Sequence, residues 1–307
     1  MLKKIVKKNK VIMNLYHRVD LRYRILLSTI SPELSSKFLY KRAFAKKLDL
    51  NNPITLNEKL MWLKLNTYYN NPLITKCADK YMVRDYIKEC GCNEILNDLI
   101  ASWDSVDEID WASLPNKFAL KCNHGSGYNI ICTDKKEFDI DNAKAKLSKW
   151  MKEDYWRHYA EVNYKYIKKK IICEKYIETD SGFLPDDYKV YCFNGKPWCV
   201  MVCVGRESGH PKYYFFDRNW SLLPLNKDSR NVSKDFYMDK PEGIDGLFKY
   251  AEMLCKPFPF VRADFYLANG KTIFGELTFT PAGALDSNRL PETDIKFGQM
   301  LCLSSEK

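Results

Sequence analysis

Hydrophobic residues recur at helical spacing over the first part of this chain, up to about residue 115. The segment 51–68 joins a turn to a broad apolar face, which predicts a helix that begins at Thr55 or Asn57. The segment 78–89 predicts a second helix, which ends at Gly91. We therefore expect this part of the chain to be mainly helical.

The pattern changes beyond residue 116, where short apolar runs alternate with turn residues. Such runs predict β-strands, at residues 117–124, 128–133, 169–177, 187–205 and 211–220. An Asn194-Gly195 turn makes the fourth run a hairpin. Two segments, 141–166 and 241–255, predict further helices. A helical part followed by sheets predicts an α+β fold.

The segment 261–281, VRADFYLANGKTIFGELTFTP, carries the most informative polar pattern. Its Asn269-Gly270 pair tolerates the positive φ angles of a type I′ turn, so the segment predicts two paired strands. The strands and the residues after them carry five polar side chains: Arg262, Asp264, Glu276, Thr278 and Thr280. Mg²⁺ takes oxygen ligands and usually needs one or two carboxylates plus substrate phosphates. The hairpin therefore predicts a cation site that faces phosphate.

A glycine-rich turn follows Lys121 and predicts a second phosphate contact. The turn contains His124, Gly125, Ser126 and Gly127. Its backbone N–H groups could close over phosphates while Lys121 supplies charge. The spacing is not that of a Walker A motif, and an ordinary hairpin loop is the competing interpretation.

Two further segments give weaker signals. Glu174 to Ile177 ends an apolar strand whose edge could bind an adenine through backbone groups, although most such segments are plain strand ends. Asp187 and Lys189 share one face of the next strand because side chains alternate, and a surface ion pair is the simpler interpretation. No metal-ligand spacing of histidines and no nucleophile motif is present.

Positive charge is concentrated near the N-terminus. The 307 residues have a formal net charge of +10, and a basic run from Lys3 to Lys10 contributes to it. Residues 1–30 predict an amphipathic helix that contacts an anionic membrane; a solvated arm or a helix packed on the body is the alternative. We find no membrane-spanning run and no signal-peptide pattern.

The cysteines favour a cytosolic protein with reduced thiols. Of the eleven, six lie inside apolar strand-like runs, namely Cys122, Cys132, Cys173, Cys192, Cys199 and Cys203. We therefore expect a cytoplasmic location, with peripheral contact at the inner face of the membrane.

Taken in order, these motifs resemble the ATP-grasp superfamily. The last hairpin is similar to the metal loop of D-alanine–D-alanine ligases, Arg-x-Asp … Glu-x-Asn-x-x-Pro. More closely, PITLNEKLMWLKL, CADKYMVRDYI, FALKCNHGSG, DYKVYCFNGKP and FGELTFTPAGAL resemble the TupA-like ATP-grasp family over about residues 50–303. That family is associated with teichuronopeptide and other bacterial surface-polysaccharide assembly.

The resemblance implies an ATP-grasp fold, in which two α+β subdomains clasp ATP behind a mainly helical N-terminal region. It divides the chain into a basic arm at 1–50, a helical domain at 51–115, a small ATP-grasp subdomain at 116–178 and a C-terminal subdomain with the metal site at 179–307.

The resemblance also implies a role for each candidate residue. The nucleotide contacts are Lys121 on the α- and β-phosphates, the loop of His124, Gly125, Ser126 and Gly127 over the triphosphate, Glu174, Tyr176 and Ile177 beside adenine, Asp187 near the ribose and Lys189 near phosphate. The metal ligands are Asp264, Glu276 and Thr278, with Thr278 where the ligases have Asn. Lys189 and Arg262 are the implied catalytic residues, and Arg262 would stabilise the transferred phosphoryl group or the acyl-phosphate.

The implied activity is ATP- and Mg²⁺-dependent ligation of a carboxylate to an amine through an acyl-phosphate. The surface-polysaccharide context implies a sugar acid or glycan as one substrate and an amine acceptor as the other, with no nucleic-acid partner. Two other hypotheses stay open: a glycosyltransferase of polysaccharide assembly, and a non-catalytic protein that binds glycan or membrane.

Overall fold

The computed structural model describes residues 10–179, 185–206, 209–233 and 235–303. Within these ranges the helices are α1 Lys10–Ile30, α2 Pro32–Phe44, α3 Leu56–Leu65, α4 Pro72–Ala78, α5 Val83–Glu89, α6 Ile140–Lys152, α7 Trp156–Tyr159, α8 Lys227–Arg230, α9 Ile244–Cys255 and α10 Pro291–Met300. The strands are β1 Leu99–Trp103, β2 Phe118–Cys122, β3 Asn129–Cys132, β4 Ile171–Lys175, β5 Asp187–Phe193, β6 Lys196–Val204, β7 Lys212–Phe216, β8 Leu222–Leu223, β9 Phe260–Ala268 and β10 Lys271–Thr278. Most of the predicted N-terminal basic run lies outside the described residues.

Two antiparallel sheets confirm the α+β prediction. One has the strand order β1-β4-β2-β3 and the other the order β10-β9-β5-β6-β7-β8. Both predicted Asn-Gly turns form: φ is 50° at Asn194 and 51° at Asn269, and it is also positive at the glycine after each. Because β9 pairs with β5, the predicted hairpin lies next to a strand from much earlier in the chain.

A hydrophobic core lies against each sheet. The core of the smaller sheet joins Leu120, Ile171 and Cys173 to Leu147 of α6. The larger core joins the six-stranded sheet to helices that include α3 and α9. Since side chains alternate along a strand, the opposite face of β2 and β4 remains available for polar residues. The six predicted thiols, Cys122, Cys132, Cys173, Cys192, Cys199 and Cys203, are all free and buried.

The N-terminal helices differ from the sequence prediction at one place. Helix α3 begins as predicted at Thr55, where a capping box with Glu58 satisfies backbone N–H groups at the helix start. The segment 78–89 is not a single helix, because the chain turns between α4 and α5. Asp79 Oδ1 accepts hydrogen bonds from the N–H groups of Tyr81 and Met82, which stabilises this turn.

The predicted helix over 141–166 is also too long. Helix α6 ends at Lys152, and Glu153 has extended backbone angles. Side-chain contacts hold the chain at this break: Tyr128 donates to Glu153, and Lys169 pairs with Asp154 at 3.0 Å. Tertiary contacts therefore override the helical pattern, and the chain continues in the short helix α7.

The predicted domain boundaries at residues 50, 115 and 178 stay predictions. Strand β1 lies within the region expected to be helical, and it pairs with β4 of the smaller sheet. Helix α1 packs along α2 and α7. Among the described residues, no helix combines the length and apolar character that crossing a bilayer requires.

Candidate active site

Three charged side chains form a row across the larger sheet. In the strand register, Lys189 of β5 is the direct partner of Asp264 of β9, and Asp264 is the direct partner of Glu276 of β10. The register shifts between Phe274 and Glu276, at Gly275, where a Cβ would lie 2.9 Å from the carbonyl oxygen of Asp264. This bulge sets the position of Glu276 beside Asp264.

Asp264 is the centre of the row and is almost fully buried, with 3% of its side chain exposed. Its Oδ2 lies 2.7 Å from Lys189 Nζ, and Arg262 donates to both of its oxygens at 2.7 Å. Lys189 Nζ is also 3.0 Å from Asp187 Oδ2. Burial alone would lower the pKa of Lys189, but Asp264 and Asp187 hold that pKa above its ordinary value.

Glu276 lies at the more open end of the row, with 31% of its side chain exposed. Thr278 donates to Glu276 Oε1 at 2.9 Å and accepts from Arg262 at 3.3 Å. Burial opposes ionisation, yet the charges of Lys80, Lys189 and Arg262 outweigh it and lower the pKa of Glu276 to about 2. Glu276 is therefore a carboxylate at any physiological pH.

The smaller sheet contributes a second ion pair. Lys121 Nζ lies 2.6 Å from Glu174 Oε2, and Arg84 is 3.4 Å from the other carboxylate oxygen. Burial would lower the pKa of Lys121, but Glu174 raises it above its ordinary value, and Tyr266 and Glu276 of the larger sheet act in the same direction. The charges of the two sheets thus influence one another.

The space between the sheets includes the predicted adenine segment. A cavity of about 60 Å³ is lined by Lys121, Tyr176 and Ile177 on one side and by Arg206 and Tyr266 on the other. Tyr176 and Ile177 also line an adjoining groove of about 910 Å³. The volume of this groove is in the range of small-molecule sites.

The glycine-rich turn connects β2 to β3. Lys80 Nζ donates to the carbonyl oxygen of Gly125 at 2.7 Å and lies 3.4 Å from Glu276 Oε2. A Cβ at Gly125 would lie 2.7 Å from the ring of Tyr155, so a larger residue would clash there. Gly127 has φ of 75°, in the region that favours glycine. Lys80 therefore links the turn to the carboxylate row.

His124 is oriented toward α6. Its Nε2 lies 3.0 Å from the carbonyl oxygen of Trp150, and its buried Nδ1 has no hydrogen-bond partner. Burial lowers the pKa of His124 to about 4, so the ring is neutral at pH 7. A neutral ring donates through Nε2 to the carbonyl oxygen of Trp150.

The oxygen donors of the hairpin are of the kind that Mg²⁺ takes, although both oxygens of Asp264 accept hydrogen bonds from Lys189 and Arg262 in this structure. Asp264, Glu276 and Thr278 supply hard oxygen atoms, and two carboxylates are the usual protein share when phosphates complete the shell. No group of three His, Cys, Asp or Glu side chains suited to a metal occurs in the described part of the chain. The roles of Asp264, Glu276 and Thr278 as ligands, like the nucleotide roles of the other candidates, stay predictions.

Sequence reasoning missed two residues of the site, Lys80 and Arg84. Both lie in CADKYMVRDYI, which carries part of the family resemblance. The sequence predicted one continuous helix there and assigned no role to either residue. The turn after α4 brings Lys80 to Gly125 and Glu276, and α5 brings Arg84 to Glu174. Because the chain turns between them, their spacing of four residues did not predict these separate contacts.

A further polar pair beside the hairpin was also missed. Thr280 donates to Oε1 of the buried Glu161 at 2.6 Å. Nearby, the fully buried Lys64 donates to the carbonyl oxygen of Tyr159 at 3.0 Å. The first contact attaches the segment after β10 to the residue that follows α7 and Ala160, and the second attaches α3 to the end of α7.

The fold and this arrangement agree with the family to which the sequence is similar. The chain belongs to the TupA-like ATPgrasp family, whose model matches residues 58–302. It therefore has the ATP-grasp fold, as the motif order predicted. No curated protein matches the sequence.

Solved structures with similar folds include three ligases. D-alanine–D-alanine ligase from Bacillus anthracis, complexed with ATP, is 15% identical with a TM-score of 0.43, over 73% of this chain and 61% of that one. The corresponding Helicobacter pylori ligase is 15% identical with a TM-score of 0.41, over 74% and 61%. L-amino acid ligase from Bacillus licheniformis is 11% identical with a TM-score of 0.44, over 74% and 49%. The chain thus spans less than two thirds of the length of each of these ligases. Its assignment to the family rests on the family model.

Proposed function

We propose that this protein is an ATP-dependent carboxylate–amine ligase. The observation that carries the proposal is the row of Lys189, Asp264 and Glu276, with Lys121 on the facing sheet. Carboxylates that bind a cation and cations that bind phosphate are needed together for phosphoryl transfer. Family membership makes ATP the nucleotide to test first.

The chain's own residues supply binding and charge in this proposal. Asp264 and Glu276, with Thr278, would hold Mg²⁺, which when bound neutralises charge on the phosphates. Lys121 and Lys189 carry positive charge toward phosphate oxygens. Arg262 contacts Asp264 and Thr278 through Nε and one Nη nitrogen, and a guanidinium has five donors, so further donors can serve a substrate carboxylate.

The proposed reaction has two balanced steps. A substrate carboxylate oxygen attacks the γ-phosphorus of ATP, the bond to the β-phosphate oxygen breaks, and ADP leaves with an acyl-phosphate remaining. The acceptor amine then attacks the acyl carbon, inorganic phosphate leaves, and the amine nitrogen loses a proton as the amide forms. Neither step requires a protein nucleophile, so the lack of a nucleophile motif in the sequence is consistent with this reaction.

We further propose that the acid is a sugar acid or a glycan carboxylate and that the product belongs to bacterial surface-polysaccharide assembly. This part rests on the family resemblance. The two other hypotheses, a glycosyltransferase and a non-catalytic protein that binds glycan or membrane, do not account for the charged row of Lys189, Asp264 and Glu276.

Nucleotide choice and product formation test the proposal. Purified protein with ATP and Mg²⁺ is given a hexuronate, an amine such as an amino acid, or both, and ADP and phosphate are measured. We expect release above background only when both substrates are present, with a product whose mass matches the amide. Binding of a sugar nucleotide without any affinity for ATP would overturn the ligase proposal.

A further inference from the structure

Helix α1 presents a row of exposed large apolar side chains, which we name the α1 stripe. Each member lies three or four residues from another member, and each is 41–65% exposed: Ile12, Leu15, Tyr16, Val19, Tyr23, Leu26 and Ile30. Residues at this spacing share one face of a helix. From Ile12 to Ile30 the stripe is about 27 Å long, at roughly 1.5 Å per residue.

The opposite face of α1 is anchored to the body. Ser28 donates to Ser35 of α2 at 2.8 Å, and Arg24 donates to the carbonyl oxygen of His158 at 3.3 Å and lies over the ring of Tyr159. These contacts hold the helix in place and keep the stripe facing outward. A long exposed apolar row on a fixed helix is typical of an interaction surface.

The borders of the α1 stripe are basic. On one side, Arg18 and Arg22 are exposed and, at 100° per residue, lie next to Leu15 and Leu26 on the helix surface. On the other side, Arg42 of α2 donates to the hydroxyl of Tyr16 at 2.9 Å. The acidic residue of this helix, Asp20, is already paired with Arg24 and Arg42.

This charge pattern selects among three possible occupants. A second copy of the chain would bring the basic borders of two stripes together without an acidic partner, which disfavours pairing. Residues 1–9 carry four lysines and no acid, so they are disfavoured for the same reason. An anionic lipid surface complements the arginines, and it accepts apolar and tyrosine side chains at the depth of the headgroups.

We propose that the protein docks on anionic membranes by inserting the α1 stripe into the headgroup region, parallel to the surface. The stripe supplies apolar burial, and the exposed Arg18 and Arg22 pair with lipid phosphates. If basic residues alone attracted the protein to the membrane, binding would not depend on the apolar side chains of the α1 stripe. The proposal is independent of the chemistry at the active site.

Vesicle binding by the full chain tests this inference. Sedimentation uses vesicles of phosphatidylcholine alone or mixed with phosphatidylglycerol in equal parts. The variant Val19→Gln with Leu26→Gln removes two members of the stripe without changing charge. The matched control is Tyr237→Gln with Ile295→Gln, because both side chains are exposed apolar residues elsewhere.

We expect wild type and control to bind the anionic vesicles, and the stripe variant to bind at least tenfold more weakly with an unchanged far-UV spectrum. Binding should weaken with salt but persist in part, since apolar burial is not screened. The proposal is overturned if the stripe variant binds like the control, if wild type does not bind, or if wild type is a dimer that the stripe variant converts to a monomer without any vesicle binding.

Discussion

The hairpin of β9 and β10 and the glycine-rich turn after β2 are stabilised in different ways. In the hairpin, Arg262 and Asp264 meet Glu276 and Thr278 across paired strands, so register alone fixes their distances. The turn is held by residues from distant segments, which include Lys80, Trp150 and Tyr155. One side of the site is therefore preorganised by local pairing, and the other depends on tertiary contacts.

The difference predicts where substitutions act on stability and where they act on substrate binding. In the hairpin, a substitution that removes one partner of a buried ion pair leaves the other charge uncompensated and destabilises the whole fold. In the turn, a lost contact changes how the loop is held while the sheets remain paired. Four substitutions test this contrast, from the largest expected effect to the smallest.

Asp264→Asn should have the largest effect. It leaves Lys189 and Arg262 buried without their shared carboxylate, so we expect the free energy of unfolding to fall by about 3–5 kcal/mol. Denaturant unfolding measures the loss. Asp98→Asn is the control, because the Asp98–Lys175 pair is exposed and contributes little. Equal stability of the two variants would contradict a row that depends on Asp264.

Glu276→Gln should separate activity from stability. The lowered pKa of Glu276 means that its carboxylate stabilises the fold above pH 4.5, but 31% of the side chain is exposed, so we expect a folded protein with a smaller loss of stability than Asp264→Asn shows. In the proposed reaction the substitution removes a charge that would hold the cation at the reacting phosphates, so kcat should fall by about 100-fold or more. ADP release under saturating substrates measures this. Full activity in Glu276→Gln would remove Glu276 from the site.

The sequence predicted the hairpin because its determinants are local. Asn269 and Gly270 require positive φ, and alternation places Arg262 and Asp264 on one face. The pairing of β9 with β5 was not predictable in this way. Lys189 and Asp264 are 75 positions apart, and no local pattern makes them direct partners. The family resemblance assigned Lys189 to phosphate and Asp264 to the metal, but it did not predict that the two residues are strand partners.

Lys80, one of the site residues that sequence reasoning missed, lies where the chain leaves a helix. The apolar pattern of 78–89 predicted continuous helix, but Asp79 binds the N–H groups of Tyr81 and Met82 and ends α4. An Asx turn of this kind competes closely with helix, and the contact of Asp79 with Asn123 favours the turn. Tertiary context therefore decides the position of Lys80.

His124→Gln should reduce the pH dependence of the free energy of unfolding. The folded-state pKa of about 4 is below the ordinary 6.5, so the contribution of His124 to stability is present above pH 6.5 and is lost as pH falls toward 4. Between pH 7 and pH 5 this loss is about 2 kcal/mol. Unfolding at both pH values measures it. The glutamine keeps a donor for the carbonyl oxygen of Trp150, but the variant should not show this loss of stability between pH 7 and pH 5. An equal loss in wild type and variant would exclude His124 as its source.

Lys80→Met should have the smallest effect, and it tests the link between the two regions. Lys80 joins the carbonyl oxygen of Gly125 to Glu276, whereas Lys88 pairs with Asp85 on the surface and is the matched control. Without this contact the turn loses its anchor to the hairpin, so we expect KM for ATP to rise about tenfold while kcat and the unfolding midpoint change less. Lys88→Met should leave KM unchanged. If both variants keep the wild-type KM, the turn is positioned without the hairpin; if Lys80→Met lowers kcat with KM unchanged, Lys80 acts on the carboxylate row and not on the turn.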